Sequence, residues 1–428
     1  LAQVAIGITD TLMVGRLGAE PLAGMVLGAQ LFFGLYLFGS GFTYGVLPLA
    51  ANAVGARDSR ALRRSIRMGL WVLMAFSALG LPVLYFSTPI FLALGQDPDV
   101  VAIAAAYLRI TCLALPLGMI FMVLRAYLSA LEAARAVLYA SIAGALINVV
   151  LNYMLIFGNW GAPALGVEGA AIASVGTHGM MLAVALWVVL RRTDAAEHAL
   201  FARLWRADWE YFWKVLTLGA PIGATLLAEV GLFSGSAIVM GWIGTLELAA
   251  HGIALQIISV LFMLPYGLSQ ACTVRFGLWD GSGPGAGAAM RRIAVLALGI
   301  TLALSLAAAL LFWVLPEPLV RLFLDASDPE TPQVIAIGVM LLLVAAAFQL
   351  ADSVQVVSAG LLRGLKDTTW PMVYAIISYW AIGLPAAYVI SIPMGFGPPG
   401  VWAGLALGLT VAAATLTHRL WVRLRVFP

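Results

Sequence analysis

The feature that most limits what this chain can become is a series of long runs without a single charge. Residues 21–56, 68–96, 136–167, 169–190, 248–274 and 293–316 contain no Asp, Glu, Lys or Arg. A helix needs about 20 apolar residues to cross the hydrocarbon core of a bilayer, and every one of these runs is long enough. Residues 368–418 are also uncharged and hold two further spans, broken by Pro393-Met-Gly-Phe-Gly-Pro-Pro-Gly400. Three more runs carry one internal charge each: 100–124 with Arg109, 215–246 with Glu229 and 331–362 with Asp352. With the opening segment around Asp10, the expected architecture is an all-α membrane protein of twelve transmembrane helices. Only 10 % of the residues are charged, against roughly 25 % in soluble domains, which leaves too little polar surface to coat a water-soluble globule.

In a twelve-span chain alternate loops share one side of the membrane. Of the 23 Lys and Arg residues, 20 fall on one set of loops and on the C-terminal tail. The other set holds only Arg16 and Arg321, while Asp97, Asp99 and Glu330 gather there. Basic residues accumulate on cytoplasmic loops, so both termini are expected in the cytoplasm. A net charge of +3 is too small to attract nucleic acid. Cys112 and Cys272 lie far apart in apolar runs and make neither a metal-binding spacing nor a disulfide framework.

The longest basic loop, 191–214, divides the chain into two pseudo-symmetric six-helix lobes. The expected boundaries are 1–205, which includes the linker and a first helix truncated at Leu1, and 206–428. Shifted by 226 residues, Gly15, Gly18, Leu22, Ala23, Gln30, Leu35 and Gly41 fall on Gly241, Gly244, Leu248, Ala249, Gln256, Leu261 and Gly267. A second register, offset by 234, matches Gly166-Val167 to Gly400-Val401. Both lobes start and end on the same side, so the repeat is parallel. In transporters such repeats enclose the binding site, and alternating access is the rocking of one half against the other.

Three carboxylates stand apart from the loops and span ends: Asp10, Glu229 and Asp352. A charge at the centre of a membrane helix costs about 2.5–3.5 kcal/mol on insertion scales and usually marks an ion or substrate path. The plain alternative is a carboxyl that stays protonated or paired. Arg109 is the one base inside a span, and a single Arg cannot neutralise three acids in two lobes. Asn148 and Asn152, four apart on one helix face, can reach Asp10 or serve as interhelical glue. Gln3 lies seven residues before Asp10 on the same face, and Thr177 and His178 are further polar candidates. Pro48, Pro82, Pro116, Pro221, Pro265 and Pro385 mark points where spans can kink. Trp205, Trp209, Tyr211, Phe212 and Trp213 read as an interfacial stretch leading into the seventh span.

Several segments together resemble the MATE (multidrug and toxic compound extrusion) family, in particular its bacterial NorM-type branch, along essentially the whole chain. They are Thr9-Asp-Thr-Leu-Met-Val-Gly-Arg-Leu-Gly18, Pro48-Leu-Ala-Ala-Asn-Ala-Val-Gly-Ala-Arg57, Asn152-Tyr-Met-Leu-Ile-Phe-Gly158 and Gly166-Val-Glu-Gly169 in the first half. In the second half they are Ala220-Pro-Ile-Gly223 with Glu229, Ala249-Ala-His-Gly-Ile253, and Phe348-Gln-Leu-Ala-Asp-Ser-Val-Gln355 running on to Gly360-Leu-Leu-Arg-Gly-Leu-Lys-Asp367. The resemblance implies a multidrug antiporter of the bacterial inner membrane, exporting small cationic, lipophilic compounds in exchange for Na⁺ or H⁺. It implies no cofactor, no enzyme activity, membrane lipid as the surrounding partner and a monomer. It assigns the amino-lobe acid to Asp10, with Gln3, Asn148 and Asn152 near it, and the carboxy-lobe cation site, with a possible Na⁺, to Glu229 and Asp352. One departure is Phe348, where the branch often has a tyrosine one turn before the second acid. That removes an oxygen ligand and leaves the coupling ion open.

Other readings meet obstacles. Gly55-Ala-Arg-Asp-Ser-Arg60 only faintly matches the loop motif of the major facilitators. A lipid-linked or metabolite exporter of a related fold is the main alternative, and a flippase would call for a basic interior, whereas this one is acidic. No His-Glu-x-x-His, Ser-Lys or Asp-Asp constellation of an intramembrane enzyme is present.

Overall fold

The computed structural model describes residues 2–192, 198–283, 285–324 and 329–426, with side chains from residue 6 onward. Gln3 therefore lies outside the described side chains. Among the described residues there are helices and turns but no strand. The chain divides into two compact units, 1–223 and 224–428.

The first unit contains α1 (Ala2–Gly15), α2 (Ala19–Gly55), α3 (Ser59–Tyr85), α4 (Thr88–Ala93), α5 (Pro98–Thr111), α6 (Ala114–Ala130), α7 (Ala134–Phe157) and α8 (Gly166–Arg191). The unit boundary falls inside α9 (Trp209–Ile243). The second unit continues with α10 (Thr245–Gly281), α11 (Ala286–Val314), α12 (Pro316–Arg321), α13 (Thr331–Gly364) and α14 (Thr369–Ile376). A π-helical segment (Ile377–Gly383), α15 (Leu384–Ser391) and α16 (Gly397–Arg425) complete it. The 226-residue repeat reappears in the elements, because the bounds of α2 shifted by that number fall on those of α10. The short α4 and α12 hold equivalent places in the order. Beyond them the shift grows to 234 residues, which carries the ends of α6 and α7 onto those of α13 and α15.

Among the described residues, ten helices are long and apolar enough to cross a membrane, with Thr369–Ser391 (α14, the π-helical segment and α15) counted as one. The pair α5 and α6, bent by 46°, supplies an eleventh if counted as one span. This is a multi-pass membrane protein. α1 has 14 described residues, about 21 Å at 1.5 Å per residue, short of the roughly 30 Å hydrocarbon core. The expected twelve spans thus correspond to ten or eleven full-length crossings and one shorter helix. Pro48, Pro82, Pro221 and Pro265 sit inside helices. Pro116 lies in the first turn after the α5–α6 bend, where a missing N–H costs no helical bond, whereas Pro385 follows directly on the π-helical segment within one continuous helix. The aromatic run from Trp209 is the opening of α9 itself rather than a separate helix.

Helix contacts in both units rest on small residues, as expected where lipid gives no hydrophobic drive for helices to associate. Gly400, Gly404 and Gly408 form one stripe on α16. A Cβ on Gly400 would lie 2.7 Å from Ser391 Cα, and one on Gly408 2.7 Å from Gly383 Cα. At Gly404 it would collide with the backbone N and Cα of Ala387. Large apolar side chains such as Leu79, Leu146 and Leu296 project outward instead. Arg109 does so as well, its guanidinium 6.0 Å from the Tyr85 ring centre.

At one end of the first unit, Asp208 ties the linker to α3. Arg64 donates to Asp208 through Nε and, at 3.0 Å, through Nη2; it also donates to Glu210 at 2.7 Å and stacks over Tyr211 at 4.1 Å. Trp71 Nε1 donates to the Leu204 carbonyl at 2.8 Å. The Arg64 hydrogen bond holds the Asp208 carboxyl below the usual aspartate range, so its stabilising contribution is present above about pH 4 and is lost as pH falls through the depressed value. Arg64→Ala is expected to cost about 1–3 kcal/mol, seen as a lower unfolding temperature in detergent at pH 7. The deficit should shrink on acidification below about pH 4, where the wild-type pair is lost too.

Candidate functional site

The three intramembrane acids occupy two sites, one in each unit. In the first, Asp10 on α1 faces α7. Asn148 Nδ2 and Asn152 Nδ2 both donate to Asp10 Oδ1, at 3.0 and 2.5 Å, and Asn152 Nδ2 also lies 3.2 Å from Asn148 Oδ1. The two asparagines are fully buried and Asp10 is 9 % exposed. Their i, i+4 spacing puts both amides on the face of α7 that meets α1. Ser174 of α8 reaches Asp10 Oδ2 at a long 3.5 Å, and Tyr107 of α5 interacts with both Ser174 and Asp10. Nothing in the sequence pointed to Ser174 or Tyr107. A tyrosine in an apolar run looks the same whether it anchors at an interface or faces a carboxyl group.

Thr177 does not join this site. Its hydroxyl donates to the Ala173 carbonyl one turn back at 2.7 Å, and its methyl packs beside Gly144. His178 Nδ1 donates to the Ser174 carbonyl at 2.9 Å, and its ring meets Phe32 and Tyr36 edge-on.

In the second unit, Glu229 on α9 and Asp352 on α13 are close enough for their charges to interact. Asp352 is 3 % exposed and its Oδ1 has no hydrogen-bond partner. Glu229 also interacts electrostatically with Arg363, eleven residues along α13 from Asp352. Phe348 is fully buried against Trp402 and Phe233, at 5.3 and 6.1 Å between ring centres, so that position fills space and offers no oxygen. His251 is a packing residue, sharing a 3.3 Å contact with Ser236 and meeting Trp402 edge-on. Gln349 and Ser353, on either side of Asp352 along α13, line a cavity of about 190 Å³ with apolar residues of α10 and α11. Tyr379, in the π-helical segment, is buried in the same cluster as Ala228 and Ala351 and interacts electrostatically with both acids; sequence gave no sign of it. A buried acid and a half-buried one whose charges interact cannot both ionise cheaply, and together they can hold one cation, a proton or a metal ion. No group of three or more His, Cys, Asp or Glu among the described residues could hold a metal by itself.

The family model MatE matches residues 1–154 and 221–389. The chain belongs to the MatE family. Membership fits a buried acid in each unit and makes the chain a secondary transporter, not an enzyme. A relative named "Probable multidrug resistance protein NorM" from Rhizobium meliloti (strain 1021) is 47 % identical over 99 % of this chain and 91 % of its own length. A relative of the same name from Agrobacterium fabrum is 44 % identical over 98 % and 90 %. Among solved MatE-type structures, a MATE in complex with MaD3S superposes with a TM-score of 0.87 at 19 % identity, over 100 % of this chain and 93 % of the other. The eukaryotic MATE transporter AtDTX14 gives 0.82 at 19 % identity, over 98 % and 92 %. At that identity the solved structures speak for the fold alone.

Proposed function

We propose that the chain is a multidrug efflux antiporter that exports cationic, lipophilic compounds in exchange for Na⁺ or H⁺. The observation that carries this reading is the Glu229–Asp352 pair, a half-buried and a buried acid from different helices, with Oδ1 of Asp352 left unpartnered. Such a pair binds one positive ion far better than none, because the ion removes the repulsion between two carboxylates in a medium of low dielectric. The relatives, named for multidrug resistance, support drug-like small molecules as the substrates. Asp10, with its two amide donors, is the second acid and acts in the amino half.

The coupling works through differential affinity. The ion and the drug stabilise different conformations, and each moves the equilibrium only by the difference between its affinities for the two states. Ion entry down its gradient then drives drug out. On the strength of the one-sided basic loops we place both termini in the cytoplasm, and we take the protein to work as a monomer in the bacterial inner membrane.

Ethidium efflux from cells expressing the full-length protein, with the Na⁺ and proton gradients collapsed separately, tests this reading. Loss of efflux on collapsing one gradient alone identifies the coupling ion. Efflux that survives the loss of both gradients, or that never occurs, sinks the antiport proposal.

A further inference from the structure

The Tyr379 hydroxyl is, with Gln349 Oε1 and Gln355 Oε1 on α13, among the buried side-chain oxygens of the second unit that have no hydrogen-bond partner among the described residues. Tyr379 itself is fully buried. It belongs to the same buried cluster as Ala228, beside Glu229, and Ala351, beside Asp352. The two helices are held together at that level. Trp380 Nε1 donates to the Ala228 carbonyl at 3.2 Å, and the Trp380 ring sits where a Cβ on Gly231 would approach within 2.5 Å. The phenol also interacts electrostatically with both carboxyl groups.

The segment that carries Tyr379 and Trp380 is π-helical from Ile377 to Gly383. A π-turn has poorer packing than an α-turn and persists where a site requires it. Gly383 and Gly408 make room for it, since a Cβ on either would meet the Ser378 carbonyl or the facing glycine. Native folds rarely leave a buried hydroxyl unpartnered. Trp402 Nε1, also buried and unpartnered in this cluster, is only a donor and cannot ligate a cation. The phenol oxygen can, as can the amide oxygens of Gln349 and Gln355, but those stand on the same helix as Asp352 while Tyr379 comes from another.

We propose that the Tyr379 hydroxyl is the third oxygen of the Glu229–Asp352 cation site, a direct ligand for Na⁺ or a hydrogen-bond partner of the protonated pair. This rests on the assignment of that pair as the coupling site. It replaces the oxygen that Phe348 cannot provide with one from a different helix.

Tyr379→Phe removes one oxygen and keeps the ring. The Na⁺ concentration, or for proton coupling the proton concentration, giving half-maximal efflux should rise about tenfold, as expected for one lost charge-assisted contact. The purified protein gives a second readout that does not need transport. Na⁺ or acidification that raises the unfolding temperature of the wild type by binding should do so less in Tyr379→Phe. An unchanged half-saturation and an unchanged thermal response in Tyr379→Phe, with both lost in Asp352→Asn, overturns the tyrosine and leaves the pair. Retention of both in Asp352→Asn and Glu229→Gln overturns the pair itself.

Discussion

Asp352→Asn is expected to lower ion-driven efflux by about 100-fold, near the upper end of coupling free energies of ~1–3 kcal/mol, while the protein still folds and binds substrate in detergent. Asn has nearly the shape of Asp, so the core around Phe348 and Trp402 keeps its packing. What disappears is the second negative charge that makes the site prefer a cation. Glu229→Gln should have a similar effect. The double variant should be little worse than either single one, because the two acids act as a unit. The experiment compares efflux with binding of a fluorescent substrate to the purified variants. Full export by both single variants would show that the pair is structural.

Gly404→Val is expected to destabilise the second unit by on the order of 3 kcal/mol or more and to cut the yield of folded protein sharply. The added Cβ would meet the backbone of Ala387 and not a movable side chain, so no rotamer change relieves it. With net stabilities of about 5–15 kcal/mol, a loss of that size leaves little reserve for a helix pair that must also bend. Gly179→Val is the control. That glycine has nothing within 4 Å of its would-be Cβ, and the variant should express normally. Detergent-extracted yield and size-exclusion profile decide between the two outcomes.

Much of this was legible in the residues themselves. Uncharged runs of span length fixed the class, and the Gly15–Gly18 and Gly241–Gly244 hairpins disclosed the repeat that α2 and α10 reproduce in equal length. Asn148 and Asn152 could be placed on one face by their spacing, and Asp10 is where that face leads. Glu229 and Asp352 stood out because a charge in a span is costly. Tyr107 and Tyr379 did not, since a phenol costs little in a membrane helix and carries no positional signal. The Arg64–Asp208 contact joins residues 144 apart; in sequence those arginines report only the side of the membrane. The π-turn was equally silent, for it depends on Gly408, on another helix, facing Gly383.

That π-turn gives the helix a length requirement. It accommodates one residue more than regular α-winding would over the same rise. Deleting a single residue within the turn would let the segment relax to an α-helix with both flanks still in register, but the residues of the turn itself would swing by up to roughly 100° about the helix axis. Tyr379 and Trp380 would then face away from Glu229 together. The number of residues in this turn thus shapes the surroundings of the acid pair as much as the identity of any side chain in it.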